Sequence, residues 1–438
     1  MFAKKKPRIK IKNPKGRTET MKYPNEEQRM EGNPSHGKAP QRRSGFRPVP
    51  LAALLLSCAL CLMTTTGCWD RREVNDIAIV IAFSLDKEPN GMIRLGIQVP
   101  LVSNLGGPTG GGGGTSGGAP FYVDSDVGRT VYEANEKIQA RMSRQIYYAH
   151  HRVVIIGEAL AKEGIGQILD LVSRFPENRL TAYMVLAKGR AVDLLKEQPR
   201  LERFSGEAIR ELVKAVAIPV TLRDLVHEIN SPGIDPFLPV VQARTPQQKG
   251  KSGEIQVVGI ALFHREKLIS IHAKGGVKGG DVAKTLFWFH HRFNPIVYKL
   301  VSRDGARFSF IVHEGRTKIH PVLQNGKIHF HIRLEGLAIL VENLSDWNFN
   351  DKRWVDRLNR EANAMIAQDT KRLIELIKTS KTDTMGLGLN FARHYPKEWK
   401  DRYRDRWDEV LPDIICEVTT KIRFSNVGQT TKNIMEEK

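Results

Sequence analysis

Residues 49–70 read VPLAALLLSCALCLMTTTGCWD, and this stretch decides how much of the chain is available to fold. A basic run comes first, then a short apolar core, then Thr66-Gly67-Cys68. That order is the pattern of an export signal that ends at a cysteine. The apolar core, residues 49–63, is 15 residues long, whereas a bilayer-spanning helix needs about 20. Thr66 and Gly67 are small enough for a signal peptidase's narrow channel. Cys68 is the expected site of S-diacylglyceryl and N-acyl modification and becomes the new N-terminus after cleavage. Two acyl chains hold a protein at a membrane, because each buried CH2 contributes about 0.8 kcal/mol. Everything beyond Cys68 is therefore expected outside the cytoplasm, tethered to a lipid surface. Thr65 stands where Leu or Val is usual, and Cys58 offers a competing site with a much shorter core. Cys58 and Cys61 have C-x-x-C spacing but sit inside the apolar run, which gives them no redox role.

The chain has 438 residues and a net charge of +20. Residues 1–47 hold 14 Lys/Arg against 4 Glu, half of that excess. Met21 and Met30 are further candidate starts within this basic extension. The remaining excess favours an anionic membrane surface, and nucleic acid is a poor partner for an exported chain. Processing at Cys68 leaves about 370 residues, room for two or three domains. Of the four cysteines only Cys68 and Cys416 then remain. No disulfide framework or zinc site can be built from them, so an ordinary apolar core must hold the fold.

The division expected along the chain is a basic extension plus signal at 1–67, an α/β region at 68–243 with room for two subdomains, a linker at 244–254, an α+β domain at 255–425 and a disordered tail at 426–438. In the first region, 77–85 and 92–99 read as a hairpin around Asn90-Gly91. Ile93, Leu95, Ile97 and Val99 alternate there with Arg94, Gly96 and Gln98. Residues 106–118 are a glycine-rich surface loop. A helix follows in 128–147, with Asp124 to Asp126 as its cap, then a strand at 152–156, a helix at 159–172 and a strand at 181–187. Short helices at 191–196, 206–216 and 222–229 complete it, the last opened by a Thr221/Asp224 capping box. In the second region, 255–263 and 267–273 read as a hairpin, and 308–313 and 327–334 as strands. A long helix at 351–378 carries Val355, Leu358, Ala362, Met365, Leu373 and Ile377 on one stripe. Residues 414–422 form a last strand. The fold class is thus mixed α/β to α+β, with a long helix packed on a sheet.

No H-E-x-x-H, G-x-S-x-G, EF-hand or dinucleotide fingerprint is present, so no catalytic, cofactor or metal residues are assigned. Asp124 and Asp126 open something like a calcium loop, but no Glu closes it. His150-His151 precede a strand, which sends one ring inward and one outward. His329 and His331 share a strand face with Arg333, a poor place for a cation. The glycines of 383–390 (DTMGLGLN) permit a helix stop. Tyr395, Trp399 and Trp407 form either a packed cap on the helix or a recognition surface.

Several of these segments resemble one known family. Residues 67–76 (GCWDRREVND) are very similar to the start of mature Ger(x)C lipoproteins, the C subunits of GerA-type spore germinant receptors. The likeness continues in 150–161 (HHRVVIIGEALA), in 259–263 (GIALF) before Lys267-Leu268, and in 383–388 (DTMGLG), Tyr395-Pro396-Lys397 and Trp399. It covers essentially all of 67–425, and the basic extension and glycine loop depart from the usual pattern. The resemblance implies a non-enzymatic, lipid-anchored subunit on the outer face of the spore inner membrane. It would act with integral-membrane A and B subunits in responding to nutrients. It also implies an N-terminal mixed α/β region and a C-terminal α+β domain. Only Cys68 transfers with a defined role. Two other classes stay open on the residues alone: a cell-wall hydrolase, which requires a convergent acid pair or a nucleophile in a cleft and would be revived by two close buried carboxylates in a pocket, and a solute-binding lipoprotein, which requires two similar lobes around a cleft.

Overall fold

The computed structural model describes residues 51–53, 55–56, 73–101, 119–174, 178–244, 253–273, 281–290 and 295–426. Cys58, Cys61, Cys68, the loop 106–118 and the tail 427–438 lie outside them. Residues 51–53 and 55–56 are helical and belong to a separate unit that ends at Arg71. The chain from Arg72 on forms one compact unit. Among the described residues no helix is long and apolar enough to cross a membrane.

The first half is built on strands β1 (Ile77–Ile79), β2 (Ala82–Lys87), β3 (Ile93–Pro100) and β4 (Phe121–Gly128), then helix α1 (Val131–Gln139) and strands β5 (Gln145–Tyr147) and β6 (Val153–Gly157). Next come α2 (Glu158–Glu163), α3 (Gly166–Arg174), β7 (Tyr183–Ala187), α4 (Ala191–Lys196), α5 (Ser205–Val216) and α6 (Leu222–Asn230). Strands β8 (Phe237–Arg244), β9 (Glu254–His264) and β10 (Lys267–Ala273) close it. Eight of these strands form one sheet in the order β10-β9-β8-β7-β6-β2-β3-β4, while β1 pairs with β5 in parallel. The central pairs β2/β6, β6/β7 and β7/β8 are parallel, and the flanks are antiparallel hairpins. Parallel strands buried on both faces read as continuous apolar runs. In β6, Val154 and Ile156 enter the main core while Val153 and Ile155 enter a second one beneath α4 and α5.

The second half contains α7 (Val282–Leu286), β11 (Ile296–Val301), β12 (Arg307–Gln324), β13 (Lys327–Leu344), α8 (Lys352–Ser380), α9 (Leu387–His394) and β14 (Ile415–Asn426). The four strands lie in the order β11-β12-β13-β14, with β14 parallel to β13. The sheet buries Phe308, Phe310, Phe330, Ile332 and Leu334, and α8 buries Leu358, Ala362, Ile366, Leu373, Ile374 and Ile377 in the same core. A mixed α+β fold with a long helix on a sheet is thus observed. Val355 and Met365 flank the α8 stripe partly buried.

Several local expectations need correction. Asp124 and Asp126 lie on β4 and grip Arg141 instead of capping a helix. Thr130 caps α1, its hydroxyl accepting from the Glu133 amide at 3.1 Å. Residues 159–172 are two helices, because Gly164 turns to φ +130° and the Ile165 amide bonds to Glu266 O. Gln98 is fully buried: α4 and α5 cover the supposedly polar face of β3, and Gln98 is held by Leu195 O, Ser205 Oγ and the Gly206 amide. Strands β8 and β11 and helix α7 escaped the sequence reading. The hairpin at 255–273, grouped by sequence with the second half, adds its strands to the first half's sheet through β8/β9 pairing. The hairpin at Asn90-Gly91 and the Thr221/Asp224 capping box form as expected.

Candidate functional site

A buried polar cluster lies where the second half grips the first, and it is built on residues 383–388. Helix α8 ends at Lys381 in the left-handed region, and Gly386 at φ +68° starts α9. Between them Asp383 turns its carboxylate back onto the new helix. Oδ1 accepts from the Leu387 amide at 2.9 Å, and Oδ2 from the Gly388 amide at 2.7 Å. A carboxylate at a helix N-terminus satisfies amides that have no partner within the helix. The Trp407 indole donates to the same Oδ2 at 2.9 Å.

Asp235, just ahead of β8, answers from the other half. Its amide donates to Asp383 O at 2.9 Å, and its Oδ2 accepts from the Asp383 amide at 2.8 Å. Its Oδ1 accepts from the Arg265 amide at 2.8 Å. His264, at the β9–β10 turn, sits 3.4 Å from both Asp235 and Asp408. Beneath this cluster Phe391 stacks on Tyr395 and meets Tyr403 edge-on, and Trp399 packs edge-on against Trp407. Both tryptophans are buried, so they are packing elements.

Burial pushes the Asp383 carboxyl up to about 7, against the pull of its two amides; nearby Asp235 adds to the rise and the Trp407 indole opposes it. The hydrogen bond to Asp235 holds His264 above its ordinary value. Two buried carboxylates side by side are the feature a hydrolase would need, but these are closed. Each of their four oxygens accepts an N–H, and Asp383 is 1% exposed. Neither described cavity touches them: one is lined by Arg316, Lys421 and Arg423, the other by Phe237, Ile260 and Phe287. The arrangement does the chemistry of a clasp.

The other sequence-selected groups are dispersed. His151 is buried beside Phe83 with Nδ1 2.6 Å from Tyr148 O, while His150 is exposed. Burial lowers the His151 pKa. His329 and His331 point away from the core, and His331 pairs with Glu417 at 3.1 Å. Among the described residues no group of three His, Cys, Asp or Glu is placed to hold a metal. Sequence reading missed Asp235 and His264. Ser231-Pro232-Gly233 marks a turn there, but nothing local names its distant partner.

Comparison with known proteins finds similarity over most of the chain. The family model described as spore germination protein N-terminal domain matches residues 70–243, and that described as spore germination B3/GerAC like, C-terminal, matches 258–428. YfkR of Bacillus subtilis (strain 168) is 33% identical over 373 residues, spanning 83% of this chain and 95% of its own. Spore germination protein KC of the same organism is 26% identical over 402 residues, spanning 86% and 95%. The crystal structure of the GerBC protein superimposes with a TM-score of 0.51 at 19% identity, covering 78% of this chain and 97% of that one, a likeness of fold.

Proposed function

The chain belongs to the Ger(x)C family of spore germination proteins, and from that membership we propose that it is a non-catalytic subunit of a nutrient germinant receptor. The observation that carries this reading is the family match across both halves, 70–243 and 258–428. A role in contact with other subunits agrees with a closed Asp235/Asp383 pair and with β11, an edge strand among the described residues. In this reading Cys68 is acylated, and the chain lies on the outer face of the spore inner membrane beside integral-membrane A and B subunits. The support for the anchor is the basic–apolar–TTGC order of the first 68 residues.

Replacing Cys68 with Ala tests it. The variant is expected to leave the membrane fraction of spores and to weaken nutrient-triggered germination while receptor-independent triggers still work. A Cys68→Ala protein that stays membrane-bound and fully active would overturn the anchor. Co-purification of the wild-type chain from spore membranes is expected to bring integral-membrane subunits with it.

A further inference from the structure

The β11–β14 sheet has one face packed on α8 and one face that is open among the described residues, and the open face is chemically divided. At the β11 end it presents Val297, Val301, Ile339, Val341 and Leu344, which are 36 to 66% exposed. Toward the other end the cross-strand rows are ionic. Arg316, Glu335 and Lys421 lie in register across β12, β13 and β14, as do Glu314, Leu337 and Arg423, and Lys318, Arg333 and Thr419.

Two of the face's four glutamates are paired within it, while Glu314 and Glu342 meet no Lys or Arg among the described residues. Glu335 is held by Lys318 at 3.4 Å and Glu417 by His331 at 3.1 Å. Arg316, Arg333, Lys421 and Arg423 are exposed and make no ion pair with any described residue. Arg316, Lys421 and Arg423 border a depression of about 250 Å³, which Glu314 and Glu335 also line. Exposed aliphatic side chains beside unpaired Lys and Arg suit a surface that is negative outside and apolar just below.

We propose that this open sheet face is a docking surface for an anionic phospholipid bilayer. The cations meet lipid phosphates, and the valines, Ile339 and Leu344 settle at the headgroup boundary. This deepens the membrane-side reading above and is separable from it, because the contact needs no acyl chain.

The test uses the chain from Arg72 onward, which is one compact unit and lacks Cys68. Co-sedimentation is measured with vesicles of phosphatidylglycerol in phosphatidylcholine and with phosphatidylcholine alone. Binding is expected only to the anionic vesicles and is expected to fall with added salt. The triple variant Arg316→Glu, Lys421→Glu, Arg423→Glu is expected to bind roughly tenfold or more weakly. The neutral triple Arg316→Gln, Lys421→Gln, Arg423→Gln should fall between, which guards against a folding defect in the first. Reversing Arg174, Lys214 and Arg223 on the first half should leave binding within about twofold. Undiminished binding by both triples overturns the proposal, as does an equal loss in the first-half control. Displacement by millimolar inorganic phosphate would show a free-anion site instead, and preference for polyglutamate over vesicles an acidic protein partner; either result overturns it too.

Discussion

Gly233 and Gly388 pack backbone against backbone across the junction of the two halves. A Cβ on Gly388 would stand 2.6 Å from the Gly233 Cα, and the Leu389 amide donates to Gly233 O at 2.8 Å. Trp407 lies 2.7 Å from the same imagined Cβ, so there is no slack on either side. The closeness lets Asp383 and Asp235 exchange backbone hydrogen bonds a short distance away.

Gly388→Ala is therefore expected to destabilise the protein by about 1–3 kcal/mol through overpacking. Gly233→Ala should cost more, because Gly233 sits at φ +86°, a conformation that side-chain-bearing residues rarely adopt. Denaturant unfolding of the two variants checks the order; an unchanged midpoint in both would mean the halves separate freely.

Trp407→Phe keeps an aromatic ring, though a smaller one, and removes the donor to Asp383 Oδ2. The expected loss is about 1–3 kcal/mol, since a buried carboxylate oxygen loses one of its partners. Trp399 is buried in the same aromatic cluster and its indole makes no hydrogen bond to a described residue, so Trp399→Phe should cost less. Equal losses would assign the effect to volume alone.

The junction should weaken with rising pH. Asp383 titrates higher in the folded chain than in the unfolded one, so its contribution is full below the ordinary carboxylate range and is lost as pH climbs to about 7. His264 is also raised, so its contribution is full below 6.5 and lost above its folded value. The melting temperature is expected to fall between about pH 4 and pH 8, and His264→Gln should flatten the upper part of that fall. A profile unchanged by the substitution would remove His264 from the clasp.

Asp86 caps a helix to which it is not adjacent. Its Oδ1 and Oδ2 accept from the Ala191 and Val192 amides at 2.7 and 2.8 Å, while the N-cap residue Arg190 offers no side-chain cap. Burial raises its pKa, and the two amides oppose the rise. Asp86→Ala is expected to cost about 1–3 kcal/mol and to raise hydrogen exchange at those two amides. Protection unchanged at Ala191 and Val192 would show that α4 holds its first turn without the carboxylate.

Much of this fold is legible because its signals are local. Asn90-Gly91 fixes a hairpin, Thr221 and Asp224 complete a capping box, and the apolar spacing of α8 announces a buried stripe. What escaped depends on distant partners. Gln98 alternates as a solvent-facing residue, yet two helices that follow about a hundred residues later cover it. Strand β8 contains Pro239 and lacks clean alternation because it is buried between β7 and β9. The DTMGLG segment reads as a helix stop; only Asp235, 148 positions away, makes it a clasp.

The sequence alone determined the family, the α+β class and the candidate anchor at Cys68, because motif order, periodicity and turn chemistry are short-range properties of the chain. Tertiary structure decided which faces are covered, that the two halves are joined through Asp235 and Asp383, and that four cations are left together on one open sheet face. Those outcomes depend on strand order and register, which bring together residues that no local pattern connects.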